Sequence, residues 1–418
     1  MSFRHLPRDW SVPLLAVRCA IVIVAALVGG LHLFGQFPGL SWHVGTYRFD
    51  LDVYRHGGQV WLHGGRLYDT FWWADVATPV SFTYPPFAAI LFSPLALAPL
   101  WVDSALLTLT SIALTGVVIA VTLHAQGLRP GMWGLAAITS VALLLEPVRH
   151  TLSLGQINVV LLAAIVADVL LVNIPWPRGL LVGLAAAVKL TPLVVVLFFV
   201  LRGDRRAVAV GLLGFASATA LGAVLAPRDS LRYWTWGVFA LDRIGKPANA
   251  SNQSLRAVVA RLGLTGPVGL AVWAVAAVVV FGLAAVAARR TLRARQPELA
   301  LVLVAIAGLL ASPMSWSHHW VWCVPALLVL AHLGRAHPIP RWLAITGFVL
   351  FLTSPYELLF NRGAAPPWTP WQQVISASYV PWALLLLSIT VAAGHRWSRP
   401  KLCAPSAVKP SAPGTALS

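Results

Sequence analysis

The chain has 418 residues, of which 58% are hydrophobic and 10% are charged. This composition excludes an ordinary soluble enzyme, because apolar runs long enough to cross a bilayer recur along the chain, at residues 14–33, 180–201 and 268–288 among others. The net charge of +17 would suggest nucleic acid as a partner of a soluble chain. Here the arginines cluster beside the ends of apolar runs, as in cytoplasmic loops, so we expect membrane lipids and no nucleic acid as partners.

The apolar runs predict helices. Within a bilayer each run can satisfy its own backbone hydrogen bonds only as a helix, since the polar alternation of a barrel strand is missing. We therefore predict an all-α polytopic membrane protein of the cell membrane, with about twelve transmembrane helices and both termini in the cytoplasm. The predicted spans are 12–34, 84–101, 104–124, 131–146, 154–173, 179–201, 207–226, 268–288, 297–312, 318–334, 341–355 and 376–394.

The first apolar run follows Arg4 and Arg8 and could be a signal peptide. It is long for that role and no small-residue cleavage site follows it, so we interpret it as a retained span. Residues 1–396 then form a single membrane domain, and residues 397–418, rich in Pro, Ala and Ser, form a disordered cytoplasmic tail.

Placing the arginine clusters in the cytoplasm puts the large connections outside, at residues 35–83, 227–267, 312–317 and 356–375. Span 84–101 contains Pro94 and Pro99 and is weakly delimited. The two spans around the polar segment 146–158 are weakly delimited too, so the side on which this segment lies stays open. Cys19, Cys323 and Cys403 have no metal-like spacing, and no nucleotide-binding or zinc motif is present, so we expect neither cofactor nor metal.

An acidic pair, Asp50 and Asp52, follows the first apolar run and is close to Arg55 in sequence. A carboxylate next to the low-dielectric membrane surface can have a raised pKa, which suits a general base. The alternative is that one of the two aspartates only caps a surface helix that runs from Val53 toward Leu62.

Two adjacent histidines, His318 and His319, lie among tryptophans at the predicted outer end of a span. Tryptophan is expected at a membrane interface, whereas paired imidazoles could bind a phosphate or position a hydroxyl group. Two adjacent ligands without a third argue against a metal site. The alternative is that the histidines only form hydrogen bonds at a helix start.

Lys189 lies inside a predicted span, where a charge costs about 2.5–3.5 kcal/mol on insertion scales, so it needs a partner or a cavity. It could bind a ligand, or it could form an ion pair with Asp168. Gln156 and Asn158, at the start of the preceding span, could join the ligand site or only bond neighbouring helices. On the 227–267 loop, basic and amide groups suit a phosphate or sugar hydroxyls, namely those of Lys246, Asn252 and Gln253.

Seven segments together resemble glycosyltransferase family 87, which holds actinobacterial polyprenol-phosphate-mannose-dependent mannosyltransferases. They occur in the family's order between about residues 45 and 325: Asp50-Leu51-Asp52-Val53-Tyr54, Phe82-Thr83-Tyr84-Pro85-Pro86-Phe87, Glu146-Pro147, Gly155-Gln156-Ile157-Asn158, Val188-Lys189-Leu190-Thr191-Pro192, Asn252-Gln253-Ser254, and Ser312-Pro313 through Trp322.

The resemblance implies a GT-C type enzyme that takes mannose from a polyprenyl-phosphate donor on the extracytoplasmic side and forms an α-(1→2) bond with inversion. It places the family's first-loop aspartate on Asp50, the expected base, and the family's histidine pair on His318 and His319. The segment from Asp50 to Arg55 looks more like the enzymes of lipomannan and lipoarabinomannan than like the one that extends phosphatidylinositol mannosides.

In the resulting hypothesis Asp50 deprotonates the hydroxyl of a mannosylated lipid acceptor while polyprenyl phosphate leaves from the opposite face of the sugar. His318 or His319, with a basic residue such as Lys189, Arg55 or Lys246, would stabilise the leaving phosphate. Tyr84 would shape the mouth of a groove for the polyprenyl chain, and Tyr54 would support the site. The alternatives are a lipid or solute transporter, which should concentrate ionisable groups at mid-membrane and often shows two related halves, and a scaffold without chemistry.

Overall fold

The computed structural model describes residues 48–70, 80–360, 368–393 and 396–397, with short stretches between residues 17 and 28. Most of the predicted first span lies outside the described residues. So do residues 35–47 and 71–79 of the first predicted outer loop, residues 361–367 of the last one, and nearly all of the predicted tail.

All regular elements in the described ranges are helices, and one isolated antiparallel bridge joins Asn252 to Trp316. The α-helices are Phe49–Leu62, Pro86–Phe92, Leu100–Ala125, Met132–Leu144, Glu146–Leu154, Asn158–Leu170, Leu180–Val188, Val196–Arg202, Arg205–Leu225, Pro227–Arg232, Leu255–Arg261, Gly266–Arg293, Pro297–Ala311, Cys323–Leu333, Pro338–Thr353, Glu357–Phe360, Pro370–Ser376 and Tyr379–Ala393. Short 3-10 turns are Ser93–Leu97, Thr191–Val195, Leu241–Ile244 and Ser317–Trp322, and Tyr233–Gly237 is a π-helical turn. The predicted all-α fold is confirmed for this part of the chain.

Length and apolar composition make four helical stretches able to cross a membrane, namely Leu100–Ala125, Arg205–Leu225, Gly266–Arg293 and Pro338–Leu359. Two bent pairs raise the number to six if each pair is one crossing: Met132–Leu144 with Glu146–Leu154, and Pro370–Ser376 with Tyr379–Ala393. The chain is therefore a membrane protein, and the total of about twelve crossings stays a prediction. The Pro297–Ala311 helix, buried along almost its whole length, forms the centre of the bundle.

The described helices share two ends, which we call the site end and the arginine end. The site end holds the Phe49–Leu62 helix, where Trp61 Nε1 donates to the carbonyl oxygen of Leu225 at 3.2 Å. At the arginine end one pocket is lined by residues from three helix termini, Leu201, Arg202, Arg289, Leu292, Arg293 and Pro297. The long helices thus run between the site end, which carries Asp50, and the arginine end.

The segment 84–101 does not form the single span that the sequence predicted. A short helix, Pro86–Phe92, and a 3-10 turn, Ser93–Leu97, replace it. Both ends of the segment lie against the Phe49–Leu62 helix, because Tyr84 contacts Tyr54 and Arg55 donates to the carbonyls of Leu95 and Ala98 at 2.6 and 2.7 Å. Prolines 94 and 99 break the helical hydrogen bonding, so the segment stays at the site end.

The predicted span 179–201 is also wrong, because the chain turns back within it. Gly179 packs on the backbone of Ala207, and Gly183 packs on that of Gly211, so the Leu180–Val188 helix is parallel to Arg205–Leu225. Since Arg202 is joined to Arg205 by only two residues, the segment 191–202 must return to the arginine end. The reversal occurs at Lys189, whose backbone is extended. The next helical turn, Thr191–Val195, begins two residues later and has Pro192 at its second position.

The polar segment 146–158, whose side was open, lies at the site end. The Met132–Leu144 helix bends by 76° into Glu146–Leu154, and Gly155, with a φ of 67°, ends that short helix. A Cβ at this glycine would lie 2.7 Å from Leu51 Cβ, in the first turn of the Phe49–Leu62 helix. The segment is therefore packed beside Asp50, and not on the opposite side that the predicted span count implied.

Candidate active site

Asp50 lies in the first turn of the Phe49–Leu62 helix, whose N-cap residue is Arg48 and which has no side-chain cap. The alternative in which an aspartate caps a helix that starts near Val53 is therefore wrong. The amino end of the helix favours a negative charge at this position. The side chain of Asp52 is 29% exposed and lies 3.9 Å from Arg55.

The carboxylate of Asp50 is partly buried and forms a side-chain hydrogen bond with Gln156. Burial raises the pKa of Asp50 to about 6, while the bond from Gln156 and the nearby charges of Lys189 and His150 act in the opposite direction. A carboxylate with this pKa is ionised at neutral pH and more basic than an ordinary aspartate. It can therefore accept a proton from a hydroxyl group.

Two tyrosines orient Gln156. Tyr54 donates from its hydroxyl to Oε1 of Gln156 at 2.6 Å, and the hydroxyls of Tyr54 and Tyr84 are 3.0 Å apart. The amide nitrogen of Gln156 lies 3.3 Å from the Tyr84 hydroxyl. Because Oε1 of Gln156 accepts from Tyr54, the NH₂ group of Gln156 points away from Tyr54 and can donate to Asp50. The structure thus brings together Asp50, Tyr54, Tyr84 and Gln156.

Lys189 also lies next to Tyr84, with Nζ 5.7 Å from the centre of the ring. Its ammonium donates to Oδ1 of Asn158 at 2.8 Å and lies 3.2 Å from Nε2 of His319. The alternative ion pair with Asp168 is wrong. The carboxylate of Asp168 accepts from the backbone of Gly179 at 3.0 Å and caps the next helix at the arginine end.

The histidine pair forms the third part of the site. The rings of His318 and His319 pack edge to face with centres 4.7 Å apart. The backbone oxygen of His318 accepts from Thr151 at 2.8 Å and from Asn158 at 2.9 Å, which fixes the turn that carries both imidazoles. Both ring nitrogens of His318 are buried without a hydrogen-bond partner in the described chain.

A groove begins at this polar cluster. Its polar end is formed by Asn158, Lys189 and His319, and its walls farther along are apolar, with Leu161, Val194 and Leu309 among them. Its lining comes from the Asn158–Leu170 and Pro297–Ala311 helices and from the Thr191–Val195 turn. This chemistry of the lining suits a ligand that joins a charged head to a hydrocarbon chain.

Two basic candidates lie apart from the cluster. The guanidinium of Arg55 donates hydrogen bonds to Asp103 and to two backbone carbonyls, which holds the segment after Pro86–Phe92 in place. Lys246 is exposed on the 245–250 turn, next to Gly245, which packs against Trp316. The structure does not bring either of them to Lys189.

Asn252 and Gln253 are fully buried and tie the 247–253 turn to the segment before the histidines. Oδ1 of Asn252 accepts from the backbone of Ser315 at 2.9 Å, and the backbone N–H of Gln253 donates to the Ser315 carbonyl at 2.7 Å. Nε2 of Gln253 also donates to the carbonyl oxygen of Ala250 at 2.8 Å. Their amides are used inside the protein, so they position the histidine turn.

A second carboxylate at the site end is Glu146, which was not among the site residues predicted from the sequence. It lies with a group of hydroxyl and imidazole side chains from four segments: His150, Ser317, Tyr356 and Tyr379. The spacing of Glu146 and His150, four residues apart on a helix, was a usable signal. Tyr356 and Tyr379 come from far along the chain, and no local sequence pattern linked them to Glu146. In the described ranges, no three His, Cys, Asp or Glu side chains lie close enough to hold a metal ion.

The family model of glycosyltransferase family 87 matches residues 82–313, more than half of the chain. The chain belongs to glycosyltransferase family 87. This membership removes the support for the transporter and scaffold alternatives. It also agrees with the resemblance inferred from seven short segments.

Curated relatives cover most of the chain. A polyprenol-phosphate-mannose-dependent α-(1-2)-phosphatidylinositol mannoside mannosyltransferase of Mycobacterium tuberculosis is 37% identical over 89% of this chain and 90% of the relative. The enzyme of the same description from Mycolicibacterium smegmatis is 37% identical over 93% and 92%. A phosphatidylinositol pentamannoside mannosyltransferase of Mycolicibacterium smegmatis is 34% identical over 83% and 84%. No solved structure matches the chain.

Proposed function

We propose that this family 87 enzyme transfers mannose from polyprenyl-phosphate-mannose to a mannosylated phosphatidylinositol, forming an α-(1→2) bond with inversion. The descriptions of the 37% identical relatives support the donor, the linkage and the acceptor. They favour a phosphatidylinositol mannoside as the acceptor. Lipomannan or lipoarabinomannan, which the segment from Asp50 to Arg55 favoured, stays a prediction. The observation that carries the proposal is a polar cluster next to Asp50 that opens into an apolar groove.

The donor fits the groove by chemistry. A polyprenyl phosphate joins a hydrocarbon chain to a phosphodiester, and the groove joins apolar walls to the ammonium of Lys189 and the imidazole of His319. As the bond between the mannosyl carbon and the phosphate oxygen breaks, the phosphodiester becomes a monoester and gains negative charge. Cationic and hydrogen-bonding groups at this point lower the barrier.

The acceptor reacts on the Asp50 side. Asp50 takes the proton of the attacking hydroxyl, whose oxygen forms the new bond to the mannosyl carbon while polyprenyl phosphate leaves. Gln156, held by Tyr54 and Tyr84, keeps the carboxylate in position. Separate groups thus serve the incoming and the leaving oxygen, which an in-line displacement with inversion requires.

The reaction takes place on the extracytoplasmic side in this proposal. The helix ends and short connections at the arginine end carry Arg202, Arg205, Arg206, Arg289, Arg290, Arg293, Arg295, Arg335 and Arg341. Short basic connections lie in the cytoplasm of multi-pass membrane proteins. The site end, with Asp50, then faces outward, where a flipped lipid-linked donor is present.

Purified protein incubated with polyprenol-phosphate-[14C]mannose and phosphatidylinositol mannosides tests the proposal. We expect a labelled product that an α-(1→2)-specific mannosidase degrades, and no product from the D50N variant. A matched reaction with a lipomannan acceptor separates the two acceptor classes. Absence of labelled product with either acceptor, from a folded protein, would refute the assigned reaction.

A further inference from the structure

The carboxylate of Glu146 is completely buried and has partners at both oxygens. Oε1 accepts from the hydroxyls of Ser317 at 2.8 Å and Tyr356 at 2.7 Å, and Oε2 accepts from Tyr379 at 2.7 Å. A buried charge is tolerated only when hydrogen bonds replace its lost hydration. Because three hydroxyl groups from three separate segments converge on Glu146, its position is fixed.

His150 is the fourth partner of this carboxylate. Its Nδ1 lies 3.0 Å from Oε1 of Glu146 and 3.0 Å from Oγ of Ser317. With Nδ1 committed as a donor to the carboxylate, Nε2 is the nitrogen that points away from the buried network. The side chain is 31% exposed, so a ligand can reach that second nitrogen.

The ring of His150 adjoins the histidine pair. It meets the ring of His318 edge to face at 5.1 Å between centres, and His318 meets His319 in the same way. His319 in turn contacts the ammonium of Lys189. His150 is also close enough to Asp50 to lower the pKa of that carboxylate, so His150 lies near both Asp50 and the polar end of the groove.

We propose that His150 is a further catalytic residue, which binds the donor phosphate through Nε2–H, and that Glu146 is a positioning residue that acts through it. This inference rests on the proposed function. In this proposal the imidazolium form of His150 donates through Nδ1 to Glu146, and through Nε2 it donates a hydrogen bond to the phosphate oxygen that receives the electron pair of the breaking bond. The imidazolium keeps its proton, and the proton of the acceptor goes to Asp50.

Two substitutions of His150 separate this role from a structural one. In H150N the side-chain amide occupies the position of Nδ1 and keeps the bond to Glu146, but nothing occupies the position of Nε2. In H150Q the amide reaches the position of Nε2 and the link to Glu146 is lost. We expect H150N to lower kcat about 100-fold, as expected for the loss of one charge-stabilising donor, and H150Q to lower it about 10-fold.

A residue that only supports Glu146 would give the reverse order, with H150N active and H150Q impaired. That order, or a kcat of H150N within twofold of the wild type, overturns the inference. Because Glu146 acts through His150, the double variant E146Q/H150N should be no slower than H150N alone. Multiplied losses in the double variant would equally overturn the positioning role.

Apparent melting temperatures in detergent accompany the kinetics. E146Q is expected to lower the melting temperature because it disturbs three hydroxyl partners, whereas H150N should leave it within a few degrees of the wild type. If H150N does not fold, the kcat of H150Q decides, since a loss well beyond 10-fold would contradict a retained donor at Nε2. Wild-type turnover that D50N abolishes, combined with an active H150N, would refute this inference alone. A wild-type enzyme without product would refute the proposed function.

Discussion

Lys189 Nζ donates a hydrogen bond to Oδ1 of Asn158 at 2.8 Å, and Asn158 in turn donates to the backbone oxygen of His318. One amide side chain therefore links the lysine to the turn that carries both histidines. The direct contacts of the ammonium are an amide oxygen and an imidazole nitrogen, not a carboxylate, so its charge is available to an anionic ligand.

Replacing Lys189 with Met should weaken donor binding. Loss of a hydrogen bond to a charged group costs about 1.5–3 kcal/mol, so the KM for the polyprenyl-phosphate donor should rise roughly 10- to 100-fold. Steady-state kinetics at saturating acceptor measures this change. R206Q is the matched control, because Arg206 is exposed at the arginine end. An unchanged donor KM in K189M would contradict a phosphate contact by Lys189.

Asp50 should set the acid limb of the pH profile. The pKa of its carboxylate is about 6, and only the ionised form accepts a proton. As pH falls below about 6, kcat/KM should therefore decrease tenfold per pH unit, and D50N should have no measurable turnover at any pH. Rates between pH 4.5 and 8, with melting temperatures to verify folding, test this. A profile flat down to pH 5 would disagree with Asp50 as the base.

The same raised pKa makes Asp50 a cost to stability. Its folded-state pKa of about 6 exceeds the ordinary value of 3.8, so burial favours the protonated form, and stability is lost as pH rises through about 6. The neutral D50N variant avoids this penalty, on the order of 1–2 kcal/mol at pH 7.5 after allowance for partial exposure. D50N should melt at a higher temperature than the wild type at pH 7.5, and the difference should disappear near pH 4. An equal difference at both pH values would rule out this origin.

Changing Gln156 to Glu should move the acid limb upward. A second carboxylate next to Asp50 disfavours its ionised form and removes the amide hydrogen bond that stabilises it. We expect the midpoint of the limb to rise by about one pH unit, with activity recovering at alkaline pH. Y54F serves as the comparison, since it removes a donor to Gln156 without adding charge. A Q156E profile identical to that of the wild type would show that Gln156 does not contact the base.

Gly183 should be needed to hold the reversal at Lys189. A Cβ on Gly183 would lie 2.2 Å from the carbonyl oxygen of Gly211, so G183A must push two helices apart, at a cost of about 1–3 kcal/mol. The melting temperature should fall and the donor KM should rise. G282A is the matched control, because nothing lies within 4 Å of its Cβ and alanine favours a helix. Equal melting temperatures for the two variants would contradict the close packing.

Local patterns predicted the all-α fold class, because apolar length is a property of short segments, and the cost of a buried charge marked Lys189 as a candidate in the same way. The identity of its partners could not be predicted, since the sequence offered Asp168 and the structure has Asn158 and His319. The reversal at Lys189 could not be predicted, since an apolar run of 22 residues has the same composition as one crossing or as a folded hairpin. The group around Glu146 was missed because Tyr356 and Tyr379 join it from more than 200 residues away.

The hairpin at Lys189 also constrains how the protein is made. Its first arm, Leu180–Val188, has nine residues and rises about 13 Å, less than half of the hydrocarbon thickness of a bilayer. Insertion machinery that measures hydrophobic length would treat residues 179–201 as one crossing and invert every later segment. The correct arrangement depends on the Arg205–Leu225 helix, which packs against this arm but leaves the ribosome after it. We therefore expect Lys189 to reach its final place only after the Arg205–Leu225 helix has entered the membrane.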